Sequence, residues 1–366
     1  MVDSRHQKLA QVLVNYSLAL KPEDKVAING SPIATPLIKE IYREAVRAGA
    51  YVYTQIRIEE LVEIFLHEAS DEQLTYISER DRFNNEYPTA AIHVLSTQNT
   101  KSRSGIDPKR IARSQAAAAP LIERNMARTA AKELRWCVTL FPTQAYAQDA
   151  GMSLSDYEDF VFGSMLLSDA DPVESWSKVK TDQQHIVDYL NRHDEIHIVS
   201  PDTDVTYRAG GRIWINAHGD FNFPDGEVFT GPIEDSVNGT VRFTYPAVYN
   251  GQEVEDVRLT FRDGKVVESN AGRNERFLNE MLDMDASSRY LGEVAFGLNY
   301  GVKQFTKNIL FDEKIGGTMH MALGASYPET GGKNVSALHW DMVCDLREGK
   351  VYADGELCYE NGKFLI

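Results

Sequence analysis

The sequence predicts an α/β protein in two parts: an N-terminal Rossmann-like α/β domain with a mostly parallel sheet, then a β-rich C-terminal domain. Three observations predict it. Up to about residue 200, short apolar strand-like runs alternate with segments of helical period, an order that gives a parallel sheet covered by helices. Beyond about 205 the chain turns to short strands with hairpin punctuation. The length of 366 residues, with 43% hydrophobic and 25% charged residues, suits about two domains at roughly 150 residues each. A core of that size needs no disulfide staples. The boundary is expected between 193 and 204, giving domains 1–198 and 199–366.

In chain order, residues 7–20 place Leu9, Val12, Leu13 and Tyr16 at helical spacing, and Pro22 ends that helix. Residues 25–29 read as a short buried strand. Pro36 fits the first turn of a second helix that runs to about Ala48, with Gly49 as its C-terminal cap. Residues 50–56 form the next strand. Helices are expected at 59–67 and 71–82, and a strand at 89–95. The Ala-rich stretch 108–133 reads as a helix interrupted at Pro120. Residues 135–141 are a strand, helices fill most of 143–192, and 195–200 is the last strand of this half. In the second half, Asp263-Gly264, Asp354-Gly355 and Asn361-Gly362 mark tight turns of the type I′ kind. One helix interrupts at 274–284.

Charge and cysteine usage exclude several classes. Lys plus Arg total 38 against 54 Asp plus Glu, a net charge of −16. Such a surface repels nucleic acid and anionic lipid, so neither is an expected partner. No run approaches the ~20 apolar residues of a membrane helix, and the N-terminal segment shows no secretory pattern. The three cysteines, Cys137, Cys344 and Cys358, have neither zinc-knuckle nor redox-pair spacing, and a reducing, cytoplasmic setting is expected. No G-x-G-x-x-G, Walker A or G-x-S-x-G motif is present, so the Rossmann-like half does not imply a nucleotide site. His67-Glu68 lacks the second histidine of H-E-x-x-H and reads as a solvated helix end. His218-Gly219-Asp220 reads as a loop.

The C-terminal half holds the chemistry. In residues 336–343, His339 and Asp341 are two apart on an expected strand and share one face, while Leu338, Trp340 and Met342 form the other. The pair is either a metal-ligand pair or a His–Asp hydrogen bond. Glu227 opens an apolar strand after a Pro-Asp-Gly turn. Glu293 is the single charge in an apolar run, and Glu313 and His320 follow or lie within others. A buried carboxylate must be paired, protonated or bound to a cation. A salt bridge or a cap is the alternative for each. Together, carboxylates and histidines suit Zn²⁺, Co²⁺ or Mn²⁺, and about six ligands suit two ions rather than one.

At these residues the chain resembles the thermophilic-type metallo-aminopeptidases. The resemblance is carried by residues 135–162, 169–176, 222–241, 290–299, 310–328 and 336–343, in the family's order. It implies a cytoplasmic, homodimeric exopeptidase that releases N-terminal amino acids from peptides with a free N-terminus, through a water activated by two divalent metal ions. It implies metal ligands at Glu227, Glu293, Glu313, His320, His339 and Asp341, and a catalytic tyrosine at Tyr327. The C-terminal domain is then the catalytic one. The competing expectations are a metal-dependent hydrolase of another amide or ester, and a non-catalytic metal-binding protein.

Overall fold

The first residues of the N-terminal sheet follow directly from the apolar runs. The computed structural model describes residues 3–366, and the chain divides into two compact units. The first runs to Val173 and takes in Gly219–Phe223 as well. Its strands are β1 (Lys25–Gly30), β2 (Tyr51–Ile56), β3 (Ala90–Leu95) and β4 (Arg135–Leu140). They pair in parallel in the order β2-β1-β3-β4. Asn222–Phe223 adds a short fifth strand, parallel to β4. Val26, Ile28, Ile92, Cys137 and Leu140 are buried in this sheet, with Leu9, Leu13 and Ile41 from the helices.

Three local expectations in this unit are corrected. Residues 71–82 form two helices, Asp71–Thr75 and Glu79–Glu86, because Ser70 and Ser78 each cap a new helix with a reciprocal capping box. The Ala-rich helix runs unbroken from Pro108 to Ala130. Pro120 sits on its exposed side, so the chain bears the loss of one backbone bond there without ending the helix. The first helix, Ser4–Val12, continues as a π-helical turn, Leu13–Ser17.

The second unit comprises Glu174–His218 and Pro224–Ile366. It opens with most of the helix Pro172–Leu190, followed by β5 (Glu195–Ser200) and β6 (Thr203–Arg208). The β5 strand was expected to close the parallel half. It pairs antiparallel with β6 and with a C-terminal strand instead, because a short connection of two residues permits a hairpin and forbids a parallel crossover. The remaining strands, in chain order, are β7 (Ile215–Ala217), β8 (the Asn222–Phe223 strand of the first unit), β9 (Glu227–Thr230), β10 (Asn238–Phe243), β11 (Ala247–Tyr249), β12 (Gln252–Val254), β13 (Val257–Arg262), β14 (Lys265–Asn270), β15 (Leu291–Gly297), β16 (Thr318–Gly324), β17 (His339–Asp345), β18 (Lys350–Ala353), β19 (Glu356–Glu360) and β20 (Lys363–Phe364).

Eight of these form an antiparallel sheet in the order β14-β13-β10-β6-β5-β18-β19-β20. The β13–β14 turn places Asp263 and Gly264 at positive φ, as do the Asp354-Gly355 and Asn361-Gly362 turns. That is the twist a two-residue hairpin needs. A second antiparallel sheet, in the order β17-β16-β15-β9-β7, carries the candidate site. One apolar cluster, including Val228, Phe296, Met319, Met321, Trp340 and Met342, supports it.

Candidate metal centre

The site follows from the two-residue period of the second sheet. Opposite partners across a sheet share a face. Glu293 of β15 pairs with Ala322 of β16, which pairs with Asp341 of β17. His320 pairs with Ala295, Glu227 of β9 with Gly297, and His339 with Gly324. One face therefore alternates ionisable residues with Ala295, Gly297, Ala322 and Gly324, which leave room between them. The other face carries Val294, Phe296, Met319, Met321, Leu323, Trp340 and Met342, all buried.

A bulge sets the face of Glu293. Leu291 pairs with Leu323 but Glu293 pairs with Ala322, so Gly292 is an extra residue in β15. That shift turns Glu293 to the side opposite Leu291. Only glycine fits there, since a Cβ would stand 2.0 Å from the carbonyl oxygen of Ala325. The expected strand at 336–343 begins at His339, and the segment before it is a loop.

Six residues singled out in the sequence come together. The donor atoms of Glu227, Glu293 and His320 lie within 4.8 Å of one another, as do those of Glu293, His339 and Asp341, and those of Glu313, His320 and Asp341. Nε2 of His320 is 3.3 Å from Glu293 Oε1 and 3.4 Å from Glu227 Oε2. Nε2 of His339 is 3.5 Å from Glu293 Oε2 and 3.6 Å from Asp341 Oδ1. Glu313 arrives from outside the sheet, as the C-terminal cap of the helix Ile309–Asp312.

Both imidazoles are oriented by the backbone. A carbonyl only accepts, so Nδ1 of His320 donates to Glu313 O at 3.1 Å, and Nδ1 of His339 donates to Ala325 O at 2.9 Å. In the neutral ring this leaves a lone pair on each Nε2, aimed at carboxylate oxygens. Lone pairs facing carboxylates repel unless a cation or a proton lies between them.

The ionisation tendencies express that conflict. Burial pushes Glu227 up to about 8 against the pull of Lys314, with Glu313 adding to the rise. Burial also raises Asp341 to about 6, despite His339 beside it. Burial alone would lower His320, but the carboxylates Glu227 and Glu293 carry it up to about 10. His339 is raised against its burial by Asp341 and Glu293. Burial works to raise Glu293, yet the hydrogen bond and charge of His320, with His339, hold it below the usual carboxylate range. Glu227 Oε2 is buried and accepts no hydrogen bond. Converging acceptors, a buried oxygen without a donor, and a carboxylate–imidazole composition fit a divalent cation.

Tyr327 borders this cluster. It lies three residues beyond β16, and its ring meets His339 edge-on at 5.2 Å and Phe229 at 5.6 Å. It is 41% exposed. Partial burial, then the charges of Glu293 and Asp341, push its phenol well above the ordinary value, so it stays protonated.

Three supporting residues escaped the sequence reading. Lys314 is fully buried and contacts Glu227 and Glu313. Asp225 is buried 3.5 Å from the same ammonium. Lys314 carries no signal in the sequence, because it follows Asp312 and Glu313 directly and looks like part of a solvated charged turn. Asp285 accepts from Ser287 N, Ser336 Oγ and Ala337 N, tethering the loop that enters β17. It has no sequence signal beyond an Asp before a serine pair.

Residues 2–364 match the family described as thermophilic metalloprotease (M29). The chain is 31% identical to aminopeptidase 2 of Geobacillus stearothermophilus, over 95% of this chain and 94% of that one. It is 29% identical to aminopeptidase AmpS of Bacillus subtilis (strain 168), over the whole of both. It is 27% identical to aminopeptidase T of Thermus thermophilus, over 97% of this chain and 95% of that one. The fold matches the solved structure of wild-type AmpT from Thermus thermophilus with a TM-score of 0.87, at 24% identity and 99% coverage of both chains.

Proposed function

We propose, from the premise that this chain belongs to the thermophilic metalloprotease (M29) family and is a peptidase, that it releases single amino acids from the free N-terminus of peptides at the cluster on β9, β15, β16 and β17. The observation that carries the reading is the convergence of six carboxylate and imidazole donors on one face of a sheet whose other face is packed core.

In this reading Glu227, Glu293, Glu313, His320, His339 and Asp341 hold two divalent ions, of Zn²⁺, Co²⁺ or Mn²⁺. Glu293 or Asp341 would be the carboxylate shared between them, and the two oxygens of Glu293, which face different imidazoles, favour Glu293. Bound divalent ions supply an acidified water and polarise a carbonyl. The chain's own residues supply the rest. Ala325 O accepts from His339 and Glu313 O from His320, which holds each imidazole in one tautomer with Nε2 free to meet a cation. Tyr327, protonated and braced on His339 and Phe229, donates to the oxyanion of the tetrahedral intermediate or to the leaving amine. The same reading makes the protein a cytoplasmic homodimer. The three cysteines, all buried, support a reducing compartment, and the family resemblance supports the dimer.

The test is a panel of aminoacyl-p-nitroanilides and peptides, each with a free or acetylated N-terminus, with and without chelator. Cleavage of free termini only, abolished by chelation and restored by one of the three metals, is expected. Equal rates on blocked and free substrates would make the enzyme a different amide hydrolase. Bound metal with no turnover on any of them would leave a metal-binding protein.

A further inference from the structure

Lys314 is the part of the site that this chemistry does not use. It is 0% exposed. Its ammonium contacts Glu227 Oε1, lies 2.6 Å from Glu313 Oε1 and 3.5 Å from Asp225 Oδ1. Its backbone is fixed as well: the N–H donates to Phe311 O and the C=O accepts from Asn299 N. Among the described residues, Lys314 is the one lysine or arginine paired with Glu227, Glu293, Glu313 or Asp341. The neighbouring Asp312 is turned onto Thr306, whose N–H and hydroxyl it accepts.

The charges explain why a lysine is tolerated there. Asp225, Glu227, Glu293, Glu313 and Asp341 carry five negative charges when ionised. Two divalent ions supply four positive charges, and one ammonium supplies the fifth. A buried charge stripped of its partner is strongly unfavourable, so each carboxylate that no ion reaches needs a permanent counter-charge.

We propose that Lys314 is a positioning residue for the metal centre: a fixed internal cation that holds Glu227 and Glu313 in place before any ion binds and completes the charge balance afterwards. This rests on the reading that the cluster holds ions. It places the burden of Lys314 on the metal-free protein, where Lys314 is the one lysine or arginine paired with these acids among the described residues and the imidazoles of His320 and His339 are their other positive partners.

Lys314→Met keeps the stem and removes the charge. Thermal unfolding is measured for native protein and variant, each stripped by chelation and each reloaded with Co²⁺. Stripped Lys314→Met is expected to melt roughly 10 °C below the stripped native protein. The two loaded proteins should differ by less than half of that. Removing one carboxylate together with the lysine, in Glu227→Gln/Lys314→Met, should restore most of the stripped stability. Equal losses in the stripped and loaded states would overturn the proposal and leave Lys314 as packing. So would a double variant no more stable than the single one. If Lys314→Met folds in neither state, the stripped double variant decides: folded, it supports the charge role, and unfolded, it refutes it. A native protein whose melting ignores both chelator and Co²⁺ sinks the metal reading itself, an outcome distinct from a native protein that responds while Lys314→Met responds equally.

Discussion

His339 donates its Nδ1 proton to the carbonyl oxygen of Ala325 across 2.9 Å. That carbonyl is also what Gly292 must clear at the bulge of β15, and Tyr327 lies two residues beyond it. One peptide unit thus connects the orientation of an imidazole, the face of Glu293 and the start of the tyrosine turn.

Gly292→Ala drives a methyl group into that carbonyl. The expected cost is about 1–3 kcal/mol, the range for overpacking a tight site, with weaker retention of metal because His339 loses its brace. Chemical denaturation and metal analysis check it. A variant as stable and as metal-rich as the native protein would show that the strand end gives way freely.

His339→Ala and Asp341→Asn should each lose metal and activity while the fold survives. The neighbour between them behaves in the opposite way. Trp340 is buried in the core, so Trp340→Ala should cost on the order of 3–5 kcal/mol and leave ligand chemistry intact in the protein that still folds. Stoichiometric metal in His339→Ala would remove that residue from the ligand set.

If Tyr327 plays its proposed part, Tyr327→Phe removes one donor from the place where charge develops. Loss of such a donor lowers kcat by ~10²–10³, with little change in KM or metal content, since the hydroxyl acts mainly in the transition state. Near-normal kcat would reduce Tyr327 to a ring packed on His339. A raised KM alone would make it a substrate-binding group.

Asp285 gives the protein an acid-sensitive tether. The N–H of Ala337, then the hydroxyl of Ser336, pull its carboxyl down to about 2 from an ordinary 3.8. A group whose pKa is lower when folded stabilises fully above its unfolded value and loses that contribution as pH falls through the folded one. Asp285→Asn should therefore cost stability at pH 6, by roughly 1–2 kcal/mol after allowance for solvent screening. The gap to the native protein should shrink at pH 3. Denaturant titrations at the two pH values test this, and a gap that widens on acidification would contradict it.

What the sequence reveals of the site depends on how local the signal is. His339 and Asp341 are legible because two-residue spacing on one strand is a local property. Glu293 and Glu227 are legible as charges without a local excuse. Their common face is not, since it requires the Gly292 bulge and a cross-strand register that no single segment encodes. Glu313 enters from a helix cap, so only tertiary folding brings it to the sheet. Lys314 looks like any solvated lysine until its partners, 87 residues away in the case of Glu227, are known. The β5 strand shows the same limit in the fold: its apolar run specifies a buried strand but not the direction of its neighbours.

The return of Gly219–Phe223 to the first unit has a practical consequence for anyone dividing the molecule. A fragment ending at Val173 would retain β1 to β4 but lack the short β8 strand that pairs with the outer edge of β4. Its backbone donors and acceptors from Val138 onward would then face water, an open border of the kind that recruits strands from other molecules and leads to aggregation. Soluble expression of the first half alone would call for that border to be resealed, for instance by splicing residues 219–223 back through a flexible tether.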